Sequence, residues 1–185
     1  MAEDSTMEQR AALLVAMEGR DADPEYVLGR LLAVTEWLEQ SVNGDSAAGK
    51  LTLHWLERIH IMPRRCYVEC ARVANLRLSG IDDPMWRRVL DDLVVQLGSS
   101  IDPAALPKRL TERQAGWATS GYHHQRAALF NAALRATEAE HKEALEAAKR
   151  GALQLVARGM PEAEAARRVG INRMTLRKAR AEASE

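Results

Sequence analysis

The chain has 185 residues, of which 46% are hydrophobic and 28% are charged, and its 26 basic and 26 acidic side chains give no net charge. This length suits one domain, or a core domain with a small appendage. It is sufficient for an ordinary hydrophobic core. No apolar run approaches the roughly 18 residues that a membrane helix needs, and the first residues lack the basic start and apolar stretch of a signal peptide, so we expect a cytoplasmic protein without a membrane partner.

The charges are distributed unevenly along the chain. Residues 149–180 contain nine basic and two acidic side chains, whereas residues 1–148 contain 17 basic and 22 acidic ones. Such an asymmetry indicates an end that faces nucleic acid, joined to a body that has another task.

Hydrophobic residues recur with the helical period in nearly every segment, and helix-forming residues dominate the composition, which predicts an all-α fold built as a helical bundle. A short helix is predicted over Thr6–Glu18, within an N-terminal extension of residues 1–22. Asp23 and Pro24 then provide an N-cap and a proline at the first helical position, which opens a helix to about Gln40. A polar loop is predicted to follow, from about Asn43.

The remaining helices of the body are also marked by their ends. A third helix around residues 51–59 is predicted to break at Met62-Pro63, and a fourth to cover Arg64–Leu78. Asp83-Pro84 repeats the N-cap and proline arrangement and opens a helix that Gly98 closes. Thr111 and Gln114 fit the capping-box pattern and begin a long helix.

After Asn131 the composition shifts to Ala, Glu, Lys and Arg, with charge pairs Glu138–Lys142 and Glu146–Arg150 at the i,i+4 spacing that supports exposed helices. This segment is interpreted as a solvated helical connector. The predicted organisation is therefore a bundle over residues 23–141, followed by a connector and a C-terminal module over residues 142–185.

The C-terminal module has the pattern of three short helices. The first is predicted over residues 152–157 and stops at Gly159, the second begins at Pro161, and the third covers Arg173–Ala183. Gly170-Ile171-Asn172 forms the turn between the last two, because glycine accepts a positive φ and asparagine caps the helix that follows. The stretch 165–179 resembles the helix-turn-helix of bacterial transcription regulators.

In that motif the second helix enters the DNA major groove with its early residues against the base edges. By pattern we expect Asn172, Arg173, Thr175 and Arg177 to face the groove, and Arg167, Arg168 and Lys178 to lie nearer the phosphates. One such module rarely suffices, so double-stranded DNA as a partner implies a homodimer. The alternative is a helical hairpin with a solvated basic face.

Two strings in the body carry more than periodicity: Tyr26-Val-Leu-Gly-Arg-Leu-Leu-Ala-Val, and Gly121-Tyr-His-His-Gln-Arg-Ala-Ala-Leu-Phe. Their order and spacing, with Met62-Pro63 before a helix, resemble the C-terminal helical region of the large subunit of the type I-C CRISPR Cascade complex. That region is also made separately as the small subunit of the complex. The resemblance covers about Asp23 to Phe130, and His123 stands where the family usually has a second aromatic residue.

The resemblance implies a bundle inside Cascade that helps to hold unwound DNA, with type I-C Cascade subunits as partners. The family-motif or partner-docking positions that it implies are Leu28, Gly29, Arg30, Tyr122, His123, His124, Gln125 and Arg126. A surface that follows displaced DNA should be basic, whereas residues 1–148 carry a net charge of −5.

The favoured hypothesis is therefore a mimic, encoded by a mobile element, that blocks Cascade assembly or DNA targeting (an anti-CRISPR), while the helix-turn-helix regulates its own operon. The alternatives are a genuine small subunit with an added DNA-binding tail, and a transcription regulator that reuses the bundle.

No catalytic, metal or cofactor site is predicted. His54, His60, Cys66 and Cys70 do not have the spacing of a zinc site, and the cysteines are better explained as buried small hydrophobic residues. His123 and His124 are adjacent on a helix and point about 100° apart, so they do not form one constellation. We expect Tyr122 or His124 to pack inward, and Gln125 and Arg126 to present polar groups to a neighbour.

Overall fold

The computed structural model describes residues 23–43 and 55–183 of the chain. Within these ranges the regular structure is helical and no residue is in a strand, which confirms the prediction of an all-α fold. The helix predicted over Thr6–Glu18, the polar loop after Asn43, the start of the third helix and His54 lie outside the described residues.

The described chain divides into two compact units between Ala132 and Ala133. We call the residues up to Ala132 unit 1 and those from Ala133 unit 2. The boundary predicted between residues 141 and 142 lies further toward the C-terminus than this division, within the same helix.

In its described residues, unit 1 contains four helices and a short helical segment at residues 55–59. The helices are α1 (Pro24–Asn43), α2 (Pro63–Leu78), α3 (Pro84–Ser99) and the first part of α4 (Glu112–Ala157). Three of them begin with a proline, which suits the first helical position because its missing N–H has no partner there. The Asp83 carboxylate caps α3 by accepting from the backbone N–H groups of Met85 and Trp86. The predicted capping box is also present, since the Thr111 hydroxyl and the Gln114 side chain each accept from the other residue's backbone N–H.

Helix α1 lies at the centre of unit 1 and packs against both α2 and α3. Every residue from Glu25 to Glu36 is buried, so water reaches no face of this part of the helix. A helix in such a place normally has apolar residues all round. In α1 the buried set also includes charged side chains, namely Glu25, Arg30, Glu36 and Glu39. These groups need partners inside the protein, because an unpaired buried charge is costly.

The loop between α3 and α4 is fastened to the start of α2. Arg64 Nε donates to the Leu106 carbonyl oxygen at 2.6 Å, and Arg64 Nη2 donates to that of Ala104 at 3.1 Å. The Leu110 N–H donates to the His60 carbonyl oxygen at 2.9 Å. These bonds set the position from which α4 starts.

Unit 2 contains the end of α4, then α5 (Glu162–Arg168) and α6 (Arg173–Glu182). The separate helix predicted over residues 152–157 is wrong, because these residues are the last turns of the continuous helix α4. The Ala-rich and Glu-rich segment before them has a high helix propensity and contains no proline, so nothing interrupts the helix. Gly159, with φ of 91°, follows its end.

A small apolar core holds unit 2 together. Ala152 of α4, Ala165 and Ala166 of α5 and Leu176 of α6 are buried against one another. Gly170 in the turn has φ of 76°, a conformation that glycine adopts without steric cost. Along α4, the ion pair of Glu146 is with Lys149 at 2.7 Å, at the i,i+3 spacing and not with Arg150 as predicted.

Candidate functional site

The two family strings meet in unit 1, where α1 crosses α4 in close backbone contact. A Cβ atom added to Gly29 would overlap the carbonyl oxygen of Ala118, and one added to Gly121 would overlap that of Tyr26. Each glycine therefore allows the backbone of the facing helix to approach closer than any side chain would permit. This crossing explains why both strings contain a glycine.

Polar side chains join the two helices around the crossing. Arg30 Nε donates to Gln125 Oε1 at 2.9 Å, and the Tyr26 hydroxyl is hydrogen-bonded to His124 Nδ1 at 3.0 Å. The Tyr122 hydroxyl donates to the buried carboxylate of Glu36.

The surroundings of Tyr122 hold its hydroxyl in the neutral form. Burial raises the pKa of Tyr122 well above its usual value, and the hydrogen bond to Glu36 raises it further. A neutral phenol remains a hydrogen-bond donor to the carboxylate, so this contact persists over the physiological pH range.

The string 121–130 has an inner and an outer side. Gly121, Tyr122, Gln125 and Leu129 recur at helical spacing and are buried on the side that faces α1. The other side, which we call the outer face, consists of exposed residues: His123, His124, Arg126, Ala127 and Phe130.

Several of the predicted docking positions are therefore interior. Leu28 and Arg30 are 0% and 3% exposed, and Gly29 is buried at the crossing. The expectation that Gln125 presents its amide to a neighbour is wrong, because the side chain is fully buried against Arg30. The reason is its spacing of four residues from Gly121, which puts both on the face that meets α1. Tyr122 packs inward, as one of the two alternatives predicted.

The exposed histidines of the string point to different neighbours. The His123 ring packs edge-to-face on Tyr122, with centroids 5.1 Å apart, whereas His124 lies against Tyr26 with centroids 6.0 Å apart. The Arg126 guanidinium lies 6.0 Å above the Tyr122 ring. These contacts orient basic and aromatic groups on the outer face, next to the 61% exposed Phe130. Phe130 belongs to the string but was not predicted as a docking position.

Cys66 and Cys70 are both free and buried within α2. Burial raises the pKa of the Cys66 thiol to about 11 and raises that of Cys70 as well. In residues 23–43 and 55–183, no three His, Cys, Asp or Glu side chains lie close enough together to share a metal ion.

Six of the seven predicted DNA-facing residues of unit 2 are exposed: Arg167, Arg168, Asn172, Arg173, Arg177 and Lys178. Some of them also have contacts within unit 2. Asn172 caps α6, because its Oδ1 accepts from the Met174 N–H at 2.9 Å. Thr175 is half-buried, and Arg177 pairs with Glu162 of α5 at 3.4 Å.

Two features of unit 2 were not predicted from the sequence. Glu162 pairs with both Arg177 and Arg180, at 3.4 and 2.7 Å, and so joins α5 to α6. The hydrogen bond from Arg180, followed by that from Arg177, lowers the pKa of the Glu162 carboxyl. Met174 is the second feature, since its side chain is 66% exposed in the first turn of α6. A helical projection of residues 173–182 would have placed it away from the buried Leu176 and Ala179.

None of the helices in the described ranges combines the length and the apolar character that crossing a membrane requires. The family model of the CRISPR-associated protein Cas_Csd1 matches residues 2–130. This match begins earlier than the resemblance noted from Asp23 and ends just before the division between the two units. No curated protein and no solved structure matches the chain. Because the family match covers well over half of the 185 residues, the chain belongs to the CRISPR-associated Csd1 family.

Proposed function

We propose that unit 1 binds the type I-C CRISPR Cascade complex at the small-subunit position, and that the protein is a non-enzymatic mimic that inhibits Cascade assembly or DNA targeting. The observation that carries the proposal is the Csd1 match over residues 2–130, which ends just before the division between the units. A mobile element that encodes such a mimic would gain protection from interference. This role requires a cytoplasmic protein.

The outer face of α4 is the proposed contact with a Cascade subunit. Phe130 and Arg126 are residue types that are enriched in protein interfaces, and both are exposed beside His123. The inner side of the same string is occupied by α1, so it is not available to a partner.

The charge of unit 1 supports inhibition rather than DNA holding. Residues 1–132 contain 18 acidic and 15 basic side chains, a net charge of −3. In addition, several arginines of unit 1 already bind internal partners. These are Arg30 with Gln125, Arg64 with the loop carbonyls, Arg72 with Glu69, Arg77 with Glu39, and Arg87 with the Ile81 carbonyl oxygen. Phosphate neutralisation supplies most sequence-independent affinity for DNA, so such a surface binds a DNA strand weakly.

Co-expression with a type I-C Cascade tests the proposal. We expect the full chain to co-purify with the complex in place of its small subunit, and to reduce the clearance of a targeted plasmid. Normal clearance in cells that contain the co-purified assembly would contradict inhibition, and absence of co-purification would contradict docking.

A genuine small subunit is the second candidate. The exposed side chains of Lys108, Arg109 and Arg113, around the start of α4, favour it because they could contact DNA phosphates. In that case the protein should restore target-DNA binding to a Cascade that lacks its own small subunit. Replacing all three residues with alanine should then remove the restored binding while the variant still co-purifies.

For unit 2 we propose a helix-turn-helix that binds double-stranded DNA as a homodimer and represses the promoter of its own operon. The turn between α5 and α6 supports this, because Gly170 has a positive φ and Asn172 caps α6. Residues 133–185 contain 11 basic and eight acidic side chains, so this unit has the favourable sign of charge. Unit 2 lies outside the Csd1 match, and this leaves open a transcription regulator that reuses the bundle.

A gel-shift titration on DNA upstream of the gene tests this part. We expect a salt-sensitive shift that is lost in the double variant Arg168→Ala, Arg173→Ala, while Cascade binding is kept. A protein that shifts DNA but never binds Cascade would support the regulator instead.

A further inference from the structure

Met174 is the most exposed large hydrophobic side chain among the described residues, with 66% of its surface accessible. Packing does not require it there. Helix α6 is held to unit 2 by Leu176 and Ala179 on its other side, which are 1% and 8% exposed. The first turn of α6 therefore presents an apolar group to solvent that does not contribute to the core.

The position of Met174 is fixed by the cap of its helix. Its backbone N–H donates to Asn172 Oδ1 at 2.9 Å, and the Leu176 N–H donates to the Asn172 carbonyl oxygen at 3.2 Å. These bonds hold the first turn of α6 in place before any partner binds, so the side chain projects from a defined point.

Lys178, four residues after Met174, lies on the same side of α6, and other exposed cationic side chains are found on α5 and α6. Arg173 and Lys178 of α6 are exposed, and so are Arg167 and Arg168 of α5. A partner that complements this surface has to combine several negative charges with an apolar group. Double-stranded DNA combines both, since the methyl group of thymine is the apolar feature of the major groove and phosphates line both of its sides. The major groove of double-stranded RNA is too deep and narrow for side chains to read.

We propose that Met174 contacts a thymine methyl group in the major groove and is a specificity-determining residue of unit 2. This inference rests on the proposed DNA binding of unit 2. Met174 takes the place of Asn172 and Thr175 as a base-reading position, because Asn172 caps the helix and Thr175 is half-buried. Arg173 lies next to Met174 and remains available for a base edge.

The experiment selects preferred sequences from a pool of random DNA duplexes with the full-length protein. Each thymine of the selected sequence is then replaced, one at a time, by deoxyuridine, which removes only the methyl group. At one position in each half-site we expect binding to weaken about fourfold, which is the effect of exposing one buried methylene-sized group. In Met174→Ala the same replacement should have no effect, whereas in Met174→Leu it should weaken binding.

Two controls separate the possible outcomes. Val95→Ala also removes an exposed apolar side chain, from α3, and should leave both affinity and sequence preference unchanged. Arg168→Ala should weaken all duplexes alike, as expected for a phosphate contact. If no thymine methyl affects binding, or if Met174→Ala still binds more weakly when the methyl is removed, the role of Met174 is overturned. The proposed DNA binding of unit 2 is not affected by this result. Absence of salt-sensitive binding to any duplex overturns the proposed DNA binding together with the role of Met174. The RNA duplex of the selected sequence is titrated in parallel, and tighter binding to it than to the DNA overturns the choice of DNA.

Discussion

Arg30 and Gln125 lie 95 residues apart in the sequence and are joined by a 2.9 Å hydrogen bond between buried side chains. Each belongs to one of the two family strings. An arginine keeps its charge in nearly all protein environments, so its burial requires acceptors that are held in place. The pair therefore connects α1 to α4 in the interior, and the strings around it form the internal contact that shapes unit 1.

This bond predicts coupled effects of substitution. Arg30→Met leaves the Gln125 amide without its arginine partner and should lower the free energy of unfolding by about 1–3 kcal/mol. Gln125→Leu leaves a buried guanidinium short of an acceptor and should cost at least as much. The double variant should be more stable than the sum of the two losses predicts, as urea denaturation can measure. Strictly additive losses would show that the two side chains act independently.

The helix crossing predicts opposite effects of the same substitution at different glycines. Gly29→Ala and Gly121→Ala push the two backbones apart and should each destabilise by about 3 kcal/mol, the upper end for overpacked cores. Gly116→Ala, also in α4, adds a methyl group with no atom within 4 Å. It should be neutral or stabilising by up to about 1 kcal/mol, because alanine favours the helix. Thermal unfolding followed by circular dichroism distinguishes the cases, and equal losses at all three sites would contradict the close crossing.

The buried cysteines predict a loss of stability in mild alkali. An unfolded thiol has a pKa of about 8.5, whereas burial raises that of Cys66 to about 11. Between these pH values the unfolded chain releases a thiol proton that the folded chain retains. The contribution of the Cys66 thiol to the free energy of unfolding is therefore complete below about pH 8.5 and is lost as the pH rises toward 11. Urea midpoints between pH 8 and pH 9.5 should fall more steeply for the natural sequence than for Cys66→Ala. The native protein should also react slowly with a thiol reagent at pH 8, and the protein unfolded in guanidinium should react quickly.

The outer face of α4 predicts variants that keep the fold and lose the partner. Phe130→Ala and Arg126→Ala change exposed side chains, so their stability should stay within about 0.5 kcal/mol of the natural protein. If this face docks on Cascade, Phe130→Ala should weaken co-purification about tenfold or more, the effect of losing an interface hot spot. Arg88→Ala, which removes an exposed arginine from α3, is the control and should bind normally. Equal binding by all three variants would place the contact elsewhere on unit 1.

If unit 2 binds DNA as proposed, the Glu162 contacts predict tighter binding when the carboxylate is removed. Glu162→Gln weakens the hold of α5 on Arg177 and Arg180, and it should raise DNA affinity and steepen its salt dependence by about one to two phosphate contacts. The unfolding midpoint should change little, because both arginines are largely exposed. Glu164→Gln removes the same charge from the same helix and provides the control. Identical gains in the two variants would mean that net charge alone, and not release of the arginines, sets the affinity.

The helices could be predicted from the sequence because their signals are local. Asp83 caps α3, Thr111 and Gln114 form the capping box, and the chain breaks at Met62-Pro63, as expected, with Pro63 as the first residue of α2. The break before residues 152–157 was predicted wrongly, because an amphipathic stripe that starts within a helix resembles the start of a new one. The family strings also stood out in the sequence, and the Csd1 match includes them.

By itself, the sequence determined the helical class, the unequal distribution of charge and the family, because composition, periodicity and motif spacing depend on neighbours along the chain. Only the tertiary structure decided which residues of each motif are available to a partner. Gln125 and Arg126 are adjacent and both polar, yet the first is buried against Arg30 and the second is exposed. That difference depends on the direction from which α1 approaches α4, which is a contact between distant segments. The same holds for Arg177, which only the fold brings to Glu162.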